Sequence, residues 1–279
     1  MRAAKPAIIV VSSHVARGAV GNRAAVFALE RLGFPVIAVP TVILPWHPGE
    51  GRATRIVPPS TDFAALIDDL AEAPWLGDVG GILSGYLGEA EQAAPIAALV
   101  EAVRARNTRT LYLCDPVIGD AAGPYVPEAV ISAIREKLLP LADIVTPNRY
   151  ELGFFGGEEL SGNDDLIAAS RTTGVPETVV TSAFGKRNQA ANLLVAPGGT
   201  YLLTHAVLAS APHGTGDLLA ALYLGHRLDG ADAAEALRLA VGATYRLAEM
   251  AAGGSVLPLA AGQDALLTSH AAATLERLA

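Results

Sequence analysis

Gly214-Thr215-Gly216-Asp217 stands directly before an apolar helical run, Leu218–Leu224. Glycines let a ligand approach the backbone closely. Unpaired amides at a helix start form an anion site that needs no lysine. Asp217 falls in the first turn beside those amides, where a carboxylate can take the proton of an attacking hydroxyl. The same four residues also suit a plain glycine turn with Asp217 as its cap. A second set, Thr146-Pro147-Asn148-Arg149-Tyr150-Glu151, follows a short apolar segment. Asn148 and Glu151 share one side of a helical turn. They offer either oxygen ligands for Mg2+ and its waters or the two halves of a capping box. Asp115-Pro116-Val117-Ile118-Gly119-Asp120 follows the apolar run Leu111–Cys114. An acid there fits a metal or phosphate site, or a solvated turn.

Other chemistries find less support. Cys114 is the only cysteine, so no intramolecular disulfide can form, and it reads as buried core at a strand end. His14 and His47 are candidate ligand contacts, but no histidine spacing suggests zinc; His226 and His270 read as surface residues. No Gly-x-x-x-x-Gly-Lys-Ser/Thr occurs, and Gly18 with Gly21 is too little for a dinucleotide fold.

The elements that must position these residues alternate. Strands are predicted over Ala7–Val11, Phe34–Val39, Val79–Leu83, Thr110–Cys114, Asp143–Val145 and Glu177–Thr181. Helices are predicted over Asn22–Leu32, Thr61–Ala73, Glu89–Arg106 and Pro127–Leu139, with a helical turn from Asn148. Gln189–Ala196 and Tyr201–His205 read as a hairpin around Pro197-Gly198-Gly199. Beyond Gly216 the pattern is helical over Asp217–Leu228, Ala233–Ala251 and Gln263–Leu278. Such alternation implies an α/β fold with a mostly parallel sheet covered on both faces. Ligands in such folds bind beyond the carboxyl ends of the strands, where Ser12-Ser13-His14, Ser84-Gly85-Tyr86, Asp115-Pro116, Thr146-Pro147-Asn148 and Thr181-Ser182 are expected.

The 279 residues carry a formal charge of −8, and 51% are apolar. That excludes a disordered chain and disfavours nucleic acid as a partner, since such binders need a basic stripe. A nucleotide, held by local amides and a metal, stays compatible. No apolar run is long enough to span a bilayer, and the N-terminal run reads as a first strand rather than a signal peptide. The lone cysteine fits a reducing cytoplasm. No repeat or linker divides the chain, so one domain over 1–279 is expected, with an irregular stretch at 44–59 as a loop over the site.

Taken in order, the segments resemble the ribokinase superfamily, and its pyridoxal kinase branch more closely. The carrying residues are 12–27, 83–88, 112–120, 125–128, 142–151 and 214–221. The resemblance implies a ribokinase-like three-layer fold and transfer of the ATP γ-phosphate to the 5′-hydroxymethyl group of pyridoxal, pyridoxine or pyridoxamine. It implies Mg2+, a monovalent cation such as K+ or Na+, and a cytoplasmic homodimer. By that resemblance Asp217 is the base, and Gly214, Thr215 and Gly216 form the anion hole. Asp115, Asn148, Glu151 and Ser182 would serve ATP and its metal. Asp120, Thr146 and Thr181 would lie near the phosphates or the monovalent ion. Ser13, Val20, His47 and Tyr86 would line the pyridoxal pocket.

The chain also departs from that branch. Leu44-Pro45-Trp46-His47-Pro48 stands where Phe-Ser-Asn-His-Thr is common, so a ring-contacting threonine is replaced by Pro48, which has neither hydroxyl nor N–H. No cysteine occurs at Gly123-Pro124-Tyr125, where some bacterial members carry one. Pro212-His213 replaces apolar residues, bringing an imidazole toward the pocket. Hydroxymethylpyrimidine kinases are the nearest rival enzymes, but usually carry cysteine at the position of Asp217. A sugar kinase lacks its early Gly-Gly motif here. A vitamin B6 binding or storage protein of low turnover is the alternative from another class.

Overall fold

The protein is described by a computed structural model covering residues 4–156, 160–268 and 273–278. The parallel strands are β1 (Ala7–Val15), β2 (Val36–Leu44), β3 (Val79–Ser84), β4 (Leu111–Cys114), β7 (Ile144–Val145) and β8 (Glu177–Ala183). Between β4 and β7 lies a two-stranded flap, β5 (Gly119–Asp120) and β6 (Gly123–Pro124). Strands β9 (Gln189–Ala196), β10 (Gly199–Ala206) and β11 (Ala273–Leu278) extend the main sheet antiparallel, giving the order β11-β10-β9-β8-β7-β4-β3-β1-β2.

Alternation along β1 explains the layering. Ile8 and Val10 face α1 (Asn22–Arg31), α7 (Thr215–Leu228) and α8 (Ala233–Met250). Ile9 and Val11 face the other side, against Phe63 and Ile67 of α2 (Ser60–Ala71) and Ile96, Leu99 and Val100 of α3 (Ala93–Arg106). A smaller core joins Leu152 of α5 (Arg149–Gly156) and Leu166 of α6 (Asn163–Thr172) to Val180 and Leu193. Strands buried on both faces must be apolar at successive positions, which is why these runs were legible. The expected three-layer α/β arrangement is present.

Several boundaries differ from expectation. β1 runs on through Ser12-Ser13-His14, so these residues lie in the strand rather than after it. β2 starts at Val36 and continues to Leu44. The helix expected over Pro127–Leu139 is α4 (Glu128–Ala133), then a wider π turn at Ile134–Leu138 and a 3-10 turn at Leu139–Leu141. Pro140 has no N–H to continue an α ladder. The helix expected over Gln263–Leu278 does not form: Gln263–Leu266 is a 3-10 turn, and Ala273–Leu278 pairs antiparallel with β10. Its helix-forming side chains are overridden by the unpaired backbone that β10 presents at the sheet edge.

Candidate active site

Ser84 pairs with Cys114, and Cys114 with Val145, in one register. The residues that follow, Gly85, Asp115 and Thr146, therefore leave the carboxyl edge of the sheet side by side. Thr146 donates its hydroxyl to Asp115 Oδ1 at 2.7 Å, and both residues are buried. Burial first, then the negative charge of Asp217, pushes the Asp115 carboxyl up to about 7, against the pull of the Thr146 hydrogen bond.

Asn148 begins α5 and makes the capping box that its spacing allowed. Its Oδ1 accepts from the amides of Tyr150 and Glu151, each at 2.9 Å. Glu151 Oε2 accepts from the Asn148 amide at 2.8 Å. Glu151 reaches further: its Oε1 accepts from Ile118 at 2.9 Å and Gly119 at 3.3 Å, while Asn148 Nδ2 donates to the Gly119 carbonyl at 2.8 Å. The box thus locks the flap to α5. Glu151 is buried, and burial, then the Asp115 charge, raises its carboxyl to about 8 despite those three amides.

Asp217 sits in the first turn of α7, after Gly214 in the left-handed region at φ 90°. A Cβ on Gly214 would lie 1.8 Å from the Ala19 carbonyl oxygen, so the turn is pressed against the β1–α1 loop. Gly216 has open space where a Cβ would be. Burial raises the Asp217 carboxyl to about 6, offset in part by the amides of Gly21 and of Asp217 itself. Gly21 is also left-handed, and a Cβ there would meet the Ser13 carbonyl oxygen at 2.2 Å. Ser13, Gly21 and Asp217 are thereby close.

The remaining expected residues divide. Thr181 bridges Asn148 and donates its amide to the Pro147 carbonyl at 2.9 Å, so it joins the acid cluster. Ser182 is exposed with φ 55°, a strained conformation of the kind that collects at functional sites. Asp120 lies on the exposed flap with Oδ1 turned onto the Ala122 amide at 2.8 Å. Val20 and Tyr86 pack together with Val15, Val42, Leu44 and Val57, an apolar wall on the Ser13 side. His47 stands on the loop after β2, with its pKa lowered by burial and then by His213. His226 is half-buried rather than freely exposed, and burial lowers its pKa. His270 lies outside the described residues.

Two residues that stand inside the family-like segments were given no role there. Tyr125, just past the flap, is 53% exposed, and its phenol pKa is raised by partial burial and then by the charges of Glu151, Asp115, Asp120 and Asp217. It therefore stands within the field of the whole acid cluster. Arg149 lies over the rings of Tyr150 and Phe184, 4.7 Å from each centroid, and donates to the Tyr150 hydroxyl at 2.6 Å. It lines a cavity of about 450 Å3 with Asp120 and Phe184. Neither position has a spacing that marks it: a tyrosine in a bend after the flap and an arginine at a helix start both look like surface.

The acids and the glycine turn meet at the carboxyl edge of the sheet, where the Asp217 charge reaches Asp115 and the Val20 backbone lies beside Gly214. Residues 78–254 match the phosphomethylpyrimidine kinase family. The pyridoxal kinase PdxY of Rubrobacter xylanophilus is 35% identical over 282 residues, covering 98% of this chain and 97% of that one. The chain belongs to the pyridoxal kinase family. The PdxY of Granulibacter bethesdensis is 37% identical over 276 residues, covering 94% and 96%. The solved pyridoxal kinase of Leishmania donovani in complex with ADP and pyridoxamine has a TM-score of 0.90 at 28% identity, covering 98% of this chain and all of that one. No helix among the described residues is long and apolar enough to cross a membrane.

Proposed function

We propose that the protein transfers the γ-phosphate of ATP to the 5′-hydroxymethyl group of pyridoxal, and accepts pyridoxine and pyridoxamine at the same site. The observation that carries this is Asp217 beside the Gly214 turn: a carboxylate held near 6 next to helix-start amides. At neutral pH it is ionised, yet close enough to the operating range to accept a proton. The substrate hydroxyl oxygen forms a bond to the γ-phosphorus as the bond to the bridging oxygen of ADP breaks. The hydroxyl proton passes to Asp217, and ADP leaves. Amides at the start of α7 stabilise charge spread over the transferred phosphoryl oxygens.

In a buried space the Asp217 charge raises Asp115, and the Asp115 charge raises Glu151, and a cation among them would relieve that repulsion. An all-oxygen donor set suits Mg2+. Among the described residues no group of three or more His, Cys, Asp or Glu side chains gathers as a metal cage, so phosphate oxygens and water would complete the shell. Held there by Asp115 and Glu151, Mg2+ would supply neutralisation of the phosphate charge. Thr146, Thr181 and Asp120 are the candidates for K+ or Na+, and Ser182 for an ATP contact. Residues 1–279 then form one kinase domain, with 44–59 over the substrate, working as a cytoplasmic homodimer.

Hydroxymethylpyrimidine kinase activity is the second reading, favoured by the match over residues 78–254. Release of ADP with pyridoxal, pyridoxine, pyridoxamine and hydroxymethylpyrimidine separates the two. Turnover with the B6 forms above the pyrimidine is expected; the reverse order overturns the proposal, and ATP-independent B6 binding without ADP release points to a storage protein.

A further inference from the structure

The loop that follows β2 is held from two directions. On one side the amides of Ala16 and Arg17 donate to the carbonyls of Leu44 and Pro45 at 2.8 and 2.9 Å, and Arg17 pairs with Glu50 at 2.6 Å. On the other side the His47 ring stacks on His213, with centroids 3.8 Å apart and an interplanar angle of 24°. The Gly49 amide donates to His47 Nδ1 at 3.1 Å, so the neutral His47 ring carries its proton on Nε2. Gly49 lies against the edges of both rings: a Cβ there would lie 2.9 Å from His47 Nδ1 and 3.1 Å from His213 Nε2. His213 is itself fixed, since its amide donates to the Ser255 carbonyl at 3.0 Å and its backbone bridges Val256. The next residue is Gly214, which opens the anion-binding turn.

We propose that His213 is a positioning residue for substrate binding: stacked on His47, it holds the loop 45–51 at a set distance from the Gly214–Gly216 turn. The inference rests on the functional reading above. One end of the stack belongs to the substrate side of the cleft and the other adjoins the phosphate side. Its flat contact sets the gap that a ring with a hydroxymethyl arm must span. The Arg17–Glu50 pair cannot replace it, because Arg17 is largely exposed and such pairs contribute little. The prolines on either side, Pro45 and Pro48, remove two amides that would otherwise tie the loop down. The stack therefore takes over part of that anchoring.

The test compares His213→Leu, which keeps apolar bulk without a flat ring, with His213→Phe, which keeps the flat ring. Kinetics are measured with pyridoxal at saturating ATP and with ATP at saturating pyridoxal, with melting temperatures in parallel. His213→Leu should raise KM for pyridoxal about three- to tenfold, the range an aromatic pair is worth. KM for ATP should stay within about twofold, and His213→Phe should restore most of the pyridoxal KM. In a His47→Ala background the effect of His213→Leu should vanish, because the partner is gone. An unchanged pyridoxal KM in a folded His213→Leu protein overturns the inference, as does equal loss for both substrates or persistence of the effect without His47. If His213→Leu does not fold while His213→Phe does, His213→Met replaces it and is judged by the same outcomes, because His47→Ala also removes an expected pyridoxal contact. A wild-type protein inert toward pyridoxal overturns the functional reading first, and this inference with it.

Discussion

Gly214 and Gly216 flank the same threonine, yet the structure assigns them opposite responses to one added methyl group. On Gly214 the new Cβ would stand 1.8 Å from the Ala19 oxygen and 2.9 Å from its carbon, at a φ of 90°. An ordinary contact lies beyond 3.4 Å, so the turn or the β1–α1 loop must retreat by more than an ångström. The left-handed backbone costs an alanine roughly 1–2 kcal/mol, and overpacking adds about 1–3 kcal/mol. Together they predict a loss of about 2–5 kcal/mol, or a melting temperature lower by roughly 3–9 °C in a chain of this size. The displacement also moves the amides of the anion hole, and a shift of about 1 Å can cost some 10²-fold in rate. On Gly216 the Cβ meets nothing within 4 Å, and alanine favours the helix by about 0.5–1 kcal/mol. Gly216→Ala should therefore hold or gain stability while KM for ATP rises, because the methyl occupies space where the phosphates approach the backbone. Thermal unfolding and steady-state ADP release on both variants check this. A Gly214→Ala protein with unchanged melting temperature and turnover would refute the packing account. A fully active Gly216→Ala protein would refute the phosphate approach.

Other consequences concern the acids and the thiol. The carboxyls of Asp217, Asp115 and Glu151, raised to about 6, 7 and 8, hold more protons in the native chain than in the unfolded one, whose values lie near 3.8 to 4.5. Stability from this source is full below about pH 4 and falls as pH climbs through 6 to 8. Ligand-free protein should melt lower at pH 8.5 than at pH 5, with Mg2+ and ATP narrowing the gap; no pH difference would count against the acid cluster. Glu151→Gln leaves one of three amides facing an NH2, so it should lose about 1–3 kcal/mol of stability and need more Mg2+ for half-maximal rate. An unchanged Mg2+ dependence would reduce Glu151 to a cap. Burial pushes the Cys114 thiol up to about 12, so a thiol reagent should leave native protein unmodified at pH 8 and label it only after denaturation; rapid labelling without unfolding would contradict that burial.

How much was visible beforehand follows from what each residue answers to. Ile8–Val11, Ile82–Leu83 and Tyr112–Cys114 are buried on both faces, so uninterrupted apolar runs announced them. The Gly214 and Asn148 segments were legible because a left-handed turn and a cap each restrict residue type locally. The spacing of Asn148 and Glu151 left a metal pair or a capping box open, and the structure forms the box while burying the acid, since one carboxylate has two oxygens to give. Ala273–Leu278 was misjudged because its edge position depends on β10, far away in the chain. Asn163–Thr172 went unrecognised because its polar residues Asn163, Asp164 and Asp165 mask an apolar side reduced to Leu166, Ala169 and the half-buried Ile167. The His47–His213 stack joins residues that only the tertiary fold brings together, so no local pattern shows it.

The most direct test of the central claim is the single-turnover rate of Asp217→Asn with saturating Mg2+, ATP and pyridoxal, beside calorimetric binding of both ligands. The variant should bind ATP and pyridoxal within a few-fold of wild type and form the 5′-phosphate about 10²–10⁴-fold more slowly. A rate within a few-fold of wild type would make Asp217 no more than a first-turn acid of α7, whose N-cap is Gly214, and the base would have to be sought elsewhere.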